Sequence, residues 1–167
     1  MHGRPEDSEY VPFAKGYVDN VEGTDLVQML TAQRDDLLAV STPLDGLYRY
    51  QPGKWTVNEV IGHINDAERI FAYRLLCVAR GDQTPFPGFE QDDYMAGANF
   101  NNRSLPDLLD EFRLIRDSSI SLVRNLPPDA WLKRGSVAGF SVTPRGIAFT
   151  LAGHERHHYR ILRNLYC

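Results

Sequence analysis

Cysteine is nearly absent from this sequence of 167 residues, which carries only Cys77 and Cys167. Two thiols, one inside a helical pattern and one at the chain end, make no disulfide framework; they suit a reducing compartment, and a cytoplasmic location is expected. Cys77 within an apolar helix reads as a small core residue rather than a nucleophile. The chain also lacks an apolar run of membrane-spanning length and a positively charged start leading into an apolar stretch. It is therefore expected to be soluble, without a signal peptide or membrane contact. Surplus positive charge is missing too. Eighteen Lys and Arg stand against 22 Asp and Glu, a formal net charge of -4 with no basic block, so no electrostatic footprint for nucleic acid exists.

A hydrophobic content of 43% over 167 residues can supply one sizeable core, which predicts a single domain over residues 1–167, with residues 1–20 as an extended N-terminal arm. Four stretches carry an apolar period close to that of a helix. The first opens at Thr24 and runs through Leu30 and Leu38 to Thr42-Pro43. The second follows Trp55, where Thr56 and Glu59 have capping-box spacing, and continues through Val60, Ile64, Phe71 and Val78 to Gly81. The third opens at Ser104, with Pro106 in its first turn and Asp107 at the capping-box spacing, and stops at Pro127-Pro128. The fourth starts near Thr143-Pro144 and reaches almost to the C-terminus. Residues 82–103, rich in Gly, Pro, Asn and Asp, read as an irregular crossing that roofs one end. A weak turn or hairpin signal surrounds Gly139. Helices with one apolar stripe each bury those stripes against one another, which predicts an all-α four-helix bundle.

Of the five histidines, four fall on two of these helices. With about 100° per residue and Ile147 as zero, His154 falls at about -20° and His158 at about +20°, in the middle of the apolar stripe. Both point into the core. His157 falls near -80°, at the flank, by the same geometry. A single inward histidine is usually a hydrogen-bonded core residue, but two at i and i+4 bring both imidazoles to one metal ion, as in H-E-x-x-H zinc helices. The segment His154-Glu155-Arg156-His157-His158 has that frame, with Glu155 as a candidate general base, a partner behind the ligands or a charge on the helix surface.

The third ligand has to come from another helix. His63, the only other histidine in an ordered segment, lies near -120° from Val57 while the stripe of its helix centres near -30°, so its phase places it at the edge. His157, Asp66 and Glu68 stay open as substitutes. Glu68 falls inside the stripe, where an unpaired carboxylate is costly, so it is expected to pair with an arginine or an imidazole; it is the second candidate proton carrier. Three neutral imidazoles leave coordination positions open on Zn²⁺ or Ni²⁺, as a catalytic metal requires.

Together, Trp55, the run Gly62-His63-Ile64-Asn65-Asp66 and the run Gly153-His154-Glu155-Arg156-His157-His158 resemble the DinB-like superfamily. The resemblance spans most of the chain. It implies a bundle of up-up-down-down order with a long crossover between the second and third helices, a homodimer, and one divalent metal on His63, His154 and His158. It also implies a small-molecule substrate, either attacked by a low-molecular-weight thiol in an S-transferase or split by water in a hydrolase. A metal-stabilised module that binds a small ligand or dimerises without catalysis is the alternative. Phe86, Phe89, Tyr94 and Phe100 in the long loop read as loop packing, with a substrate pocket or partner surface as the other use.

Overall fold

The computed structural model describes residues 3–167, so His2 lies outside it. Among these residues the chain forms α1 (Lys15–Asp19), α2 (Leu26–Ser41), α3 (Val57–Arg80), α4 (Gln91–Ala98), α5 (Leu105–Arg124), a hairpin of β1 (Gly135–Val137) and β2 (Phe140–Val142), and α6 (Pro144–Ile161). A π-helical turn, Leu162–Tyr166, extends α6. The four long helices are the expected ones. Thr56 and Glu59 form the reciprocal capping box, with bonds of 3.1 Å from the Glu59 amide to Thr56 Oγ1 and 2.7 Å from the Thr56 amide to Glu59 Oε2. Asp25, one residue later than Thr24, caps α2 by accepting from the Gln28 amide at 3.0 Å. Ser104 caps α5 from the Asp107 amide, but Asp107 does not return the bond; its carboxylate turns to Arg103 at 2.7 Å instead.

Directions follow from which residues meet. On α3 and α5, Asn65 donates to the Leu108 carbonyl and Glu68 accepts from Arg116, so the two helices run in parallel. On α2 and α6, Gln33 meets Ala152 and Asp36 meets Arg156, again in parallel. On α3 and α6, His63 meets His158 while Phe71 meets His154, which makes that pair antiparallel. The order is therefore up-down-down-up with one crossover, in place of the up-up-down-down order that the resemblance implies. The reason lies in the connections. Residues 42–56 stay at one end, whereas residues 82–104 return along the length of α3 before α5 begins.

That return is not wholly irregular. It holds α4 and a 3₁₀ turn, Phe100–Asn102. No residue of α4 is buried, so the helix has no apolar stripe for sequence periodicity to register. The segment is pinned on both sides. Upstream, Arg74 donates to the Pro87 carbonyl at 2.6 Å and lies over the Phe89 ring at 5.7 Å. Downstream, the buried Phe100 sits over Gly62, where a Cβ would come within 2.4 Å of its ring. Phe86 pairs with the hairpin, its amide donating to Ser136 and its carbonyl accepting from Ala138.

Residues 1–20 were expected to be an extended arm; in the described part they coil into two 3₁₀ turns and α1, and they lie along α6. Two glycines make this contact possible. A Cβ on Gly146 would lie 1.9 Å from the Glu9 carbonyl oxygen, and one on Gly153 would lie 2.0 Å from that of Tyr17. Glu9 fastens the contact by accepting from Thr143 Oγ1 at 2.8 Å and from Arg145 Nε at 2.9 Å. The buried apolar residues Tyr10, Ala14, Val18 and Val21 then complete the core beside α6. Runs of three to five residues are too short to show a helical period in sequence.

Candidate metal centre

The first two turns of α3 and the last two of α6 meet at one end of the bundle, and there the structure brings His63, His154 and His158 together. Each offers a ring nitrogen, and the three nitrogens lie within 4.8 Å of one another. His63 Nε2 and His154 Nε2 are 2.9 Å apart. The ring centroids are 4.6 to 4.9 Å apart across the three pairs. Relative exposures of 4%, 5% and 7% put all three side chains below the surface. Their neighbours hold them in place: Trp55 lies 5.0 Å from His63 between centroids, and Phe71 and Tyr17 lie 5.5 and 5.3 Å from His154. His157 packs against His158 and Tyr17 and is not one of the three.

Burial governs the charge state. It pushes the His63 pKa down to about 4, helped by His157 and opposed by the Asp92 carboxylate. It also holds His154 and His158 well below the ordinary imidazole value, with the neighbouring imidazoles adding to the effect. Three neutral imidazoles with their nitrogens turned toward one another offer lone pairs that have few protein protons to accept. Zn–N bonds of about 2.0–2.1 Å need donors a few ångströms apart, and imidazole donors suit zinc or nickel. The donor set fits such an ion.

The two expected proton carriers lie elsewhere. Glu68 accepts from Arg116 through both carboxylate oxygens, with Nε at 2.8 and 3.0 Å and Nη2 at 2.7 Å. Pairing of Glu68 with an arginine is as expected. Arg116 is fully buried and also donates to Gln33 Oε1 at 3.2 Å, while Gln33 donates to the Ala152 carbonyl. Glu155 lies within reach of the same charges. Burial pushes its pKa up to about 7 against the pull of Arg116 and Arg156, and neither carboxylate oxygen has a hydrogen-bond partner among the described residues. One side chain from each long helix thus forms a buried polar layer. No carboxylate of this layer joins the histidines. Asp66 pairs with Arg69 on the helix surface and takes no part.

One cleft of about 330 Å³ reaches the centre. His158 lines it together with Tyr50, Lys54, Trp55, Val60, Gln91, Asp92, Ile161 and Tyr166. Tyr166 is tied down, its hydroxyl donating to the Trp55 carbonyl at 2.6 Å. Lys54, Gln91, Asp92 and the Tyr17 contact were not singled out in the sequence, because none sits on a periodic stripe.

The model of the DinB superfamily matches residues 24–162. Among proteins of curated function, no sequence matches this chain. Among solved structures, YfiT from Bacillus subtilis is similar at a TM-score of 0.73 and 14% identity, over 98% of this chain and 91% of YfiT. It is described as "a probable metal-dependent hydrolase with an unusual four-helix bundle topology".

Proposed function

This chain belongs to the DinB superfamily, and we propose that it is a metal-dependent hydrolase of small molecules whose divalent ion is held by His63, His154 and His158. The observation that carries the reading is the convergence of three buried, neutral imidazoles, one of which, His158, lines a cleft. The description of YfiT supports the hydrolytic chemistry. When bound, such an ion acidifies water and polarises the oxygen of an acyl or phosphoryl group. The residues of the chain supply the rest. Trp55, Phe71 and Tyr17 fix the ring planes and exclude bulk water around the ligands, which narrows the geometry a bound group has to find. The cleft admits a small substrate, with Tyr50, Trp55 and Tyr166 as aromatic walls and Lys54 and Gln91 as polar contacts.

Elemental analysis of purified protein tests the metal. Stoichiometric zinc or nickel is expected in the wild type and is expected to disappear in the His154→Ala/His158→Ala variant, which retains the helical circular dichroism. Hydrolysis of p-nitrophenyl acetate by the zinc-loaded protein is expected to cease with a chelator and return with Zn²⁺. Stoichiometric metal without hydrolysis of any ester or amide tried would move the chain to the alternative of a metal-stabilised binding module.

A further inference from the structure

A hydrolytic site needs a group that takes a proton from the attacking water. Neither Glu68 nor Glu155 is placed for it: the first is engaged by Arg116 through both oxygens, and the second lies enclosed in the same polar layer. Among the residues that line the cleft, one carboxylate remains. Asp92 stands in the first turn of α4, in the same cleft as His158, and its charge acts on His63. It has no hydrogen-bond or ion-pair partner among the described residues. The other polar groups around the cleft are unsuited. Lys54 is a cation, Gln91 carries no basic site, and the Tyr166 hydroxyl is engaged with the Trp55 carbonyl. His157 flanks His158 without lining the cleft.

The placement of α4 favours a purpose beyond packing. The helix buries none of its own residues, yet both of its flanks are anchored to the walls of the metal centre. Phe89 lies 6.2 Å from Phe71 and 5.4 Å from Tyr94 between ring centroids, and Phe71 is the ring that packs on His154. Phe100, on the other side, seats on Gly62, the residue before His63. Asp92 is therefore held over the cleft by contacts made on either side of it.

We propose that Asp92 is the general base of the hydrolytic reaction, an inference that rests on the hydrolase reading above. As the water oxygen bonds to the acyl carbon, the Asp92 carboxylate takes one of the water protons. As the bond from that carbon to the leaving oxygen or nitrogen breaks, the proton passes to the leaving atom. One ester or amide and one water thus become an acid and an alcohol or amine.

The test uses the full chain loaded with Zn²⁺ or Co²⁺ and p-nitrophenyl acetate as the probe. Asp92→Asn is expected to hydrolyse the ester about 100-fold more slowly than wild type, within the range that general bases contribute. Its Co²⁺ affinity and visible absorption are expected to match wild type, since Asp92 is not a ligand. Added formate is expected to restore part of the rate of Asp92→Ala, a rescue that a structural role would not produce, while Asp93→Asn behaves as wild type. Three results would overturn the assignment. Wild-type rates in Asp92→Asn, with His158→Ala inactive, would remove Asp92 and leave the hydrolase reading intact. A loss of Co²⁺ affinity well beyond about 100-fold, more than the removal of a group behind the ligands costs, would make Asp92 a ligand rather than a base. Wild-type protein no faster than His158→Ala would end the hydrolase reading, and the role of Asp92 with it.

Discussion

Two groups of polar side chains lie equally deep in this bundle, and they treat their burial in opposite ways. Around Arg116 the charges are matched from within: a guanidinium meets Glu68 through both oxygens and Gln33 through a third contact. Around His154 three neutral imidazoles turn one nitrogen each toward the others, and the His63–His154 approach of 2.9 Å can hold one N–H···N bond at most. The third nitrogen is left unmatched by the other two. Such an arrangement makes sense when its counterpart arrives from outside, whereas Arg116, Glu68 and Gln33 already answer one another.

The largest effect should come from breaking the Arg116–Glu68 pair. Arg116→Ala leaves Glu68 buried without its cation, and a loss of about 3–5 kcal/mol is expected from urea denaturation. Replacing both partners, Glu68→Met with Arg116→Met, is expected to recover most of that loss, because desolvation of the pair offsets much of its attraction. The histidine cluster should behave the other way round. Zn²⁺ at about 100 times its dissociation constant is expected to add about 2.7 kcal/mol to stability. At about 2–4 °C per kcal/mol for a chain of this size, the melting temperature should rise by roughly 5–10 °C. His154→Ala/His158→Ala should show no such rise. If zinc stabilised that variant equally, the contrast between the two groups would collapse.

A smaller change probes the support behind the cluster. Gly153→Ala forces a methyl group against the Tyr17 carbonyl and should cost about 1–3 kcal/mol, read by thermal denaturation, with weaker metal binding because Tyr17 leaves His154. The smallest effect concerns pH. Burial pushes the Glu9 pKa up, but the bonds from Arg145 and Thr143 outweigh it, and the net shift is downward. A carboxyl with a lowered folded pKa stabilises the fold above its ordinary value near 4.5 and loses that contribution as pH falls through the lower folded value. Melting temperatures of wild type should therefore fall more steeply below that pH than those of Glu9→Gln.

Much of this arrangement was legible in the residues, and the exceptions have physical causes. Capping signals at Thr56, Ser104 and Thr143 and the apolar periods located all four long helices. The phase of His154 and His158 against Ile147 placed both in the core. His63 was harder to place by the same method. The first turns of α3 are buried nearly all round, including Asn58, Gly62 and Asn65, so a stripe centre means little there. The surroundings of Glu155 were hard to read for a similar reason, since α6 is buried without interruption from Gly146 to Glu155 and phase there does not separate interior from surface. Asp92 left no trace because α4 has no buried face, and the identity of the arginine that meets Glu68 depends on a helix pairing that periodicity does not encode.

The contact of residues 9–17 with Gly146 and Gly153 also bears on the order in which the protein is made. Residues 9–17 have no α6 to lie on until residues 144–161 are synthesised, and α6 carries two of the three histidines. Domains form as their chain emerges, N-terminal parts first, but here the N-terminal part waits for the C-terminal one. Metal capture by this chain is accordingly expected to follow the synthesis of α6 rather than that of α3.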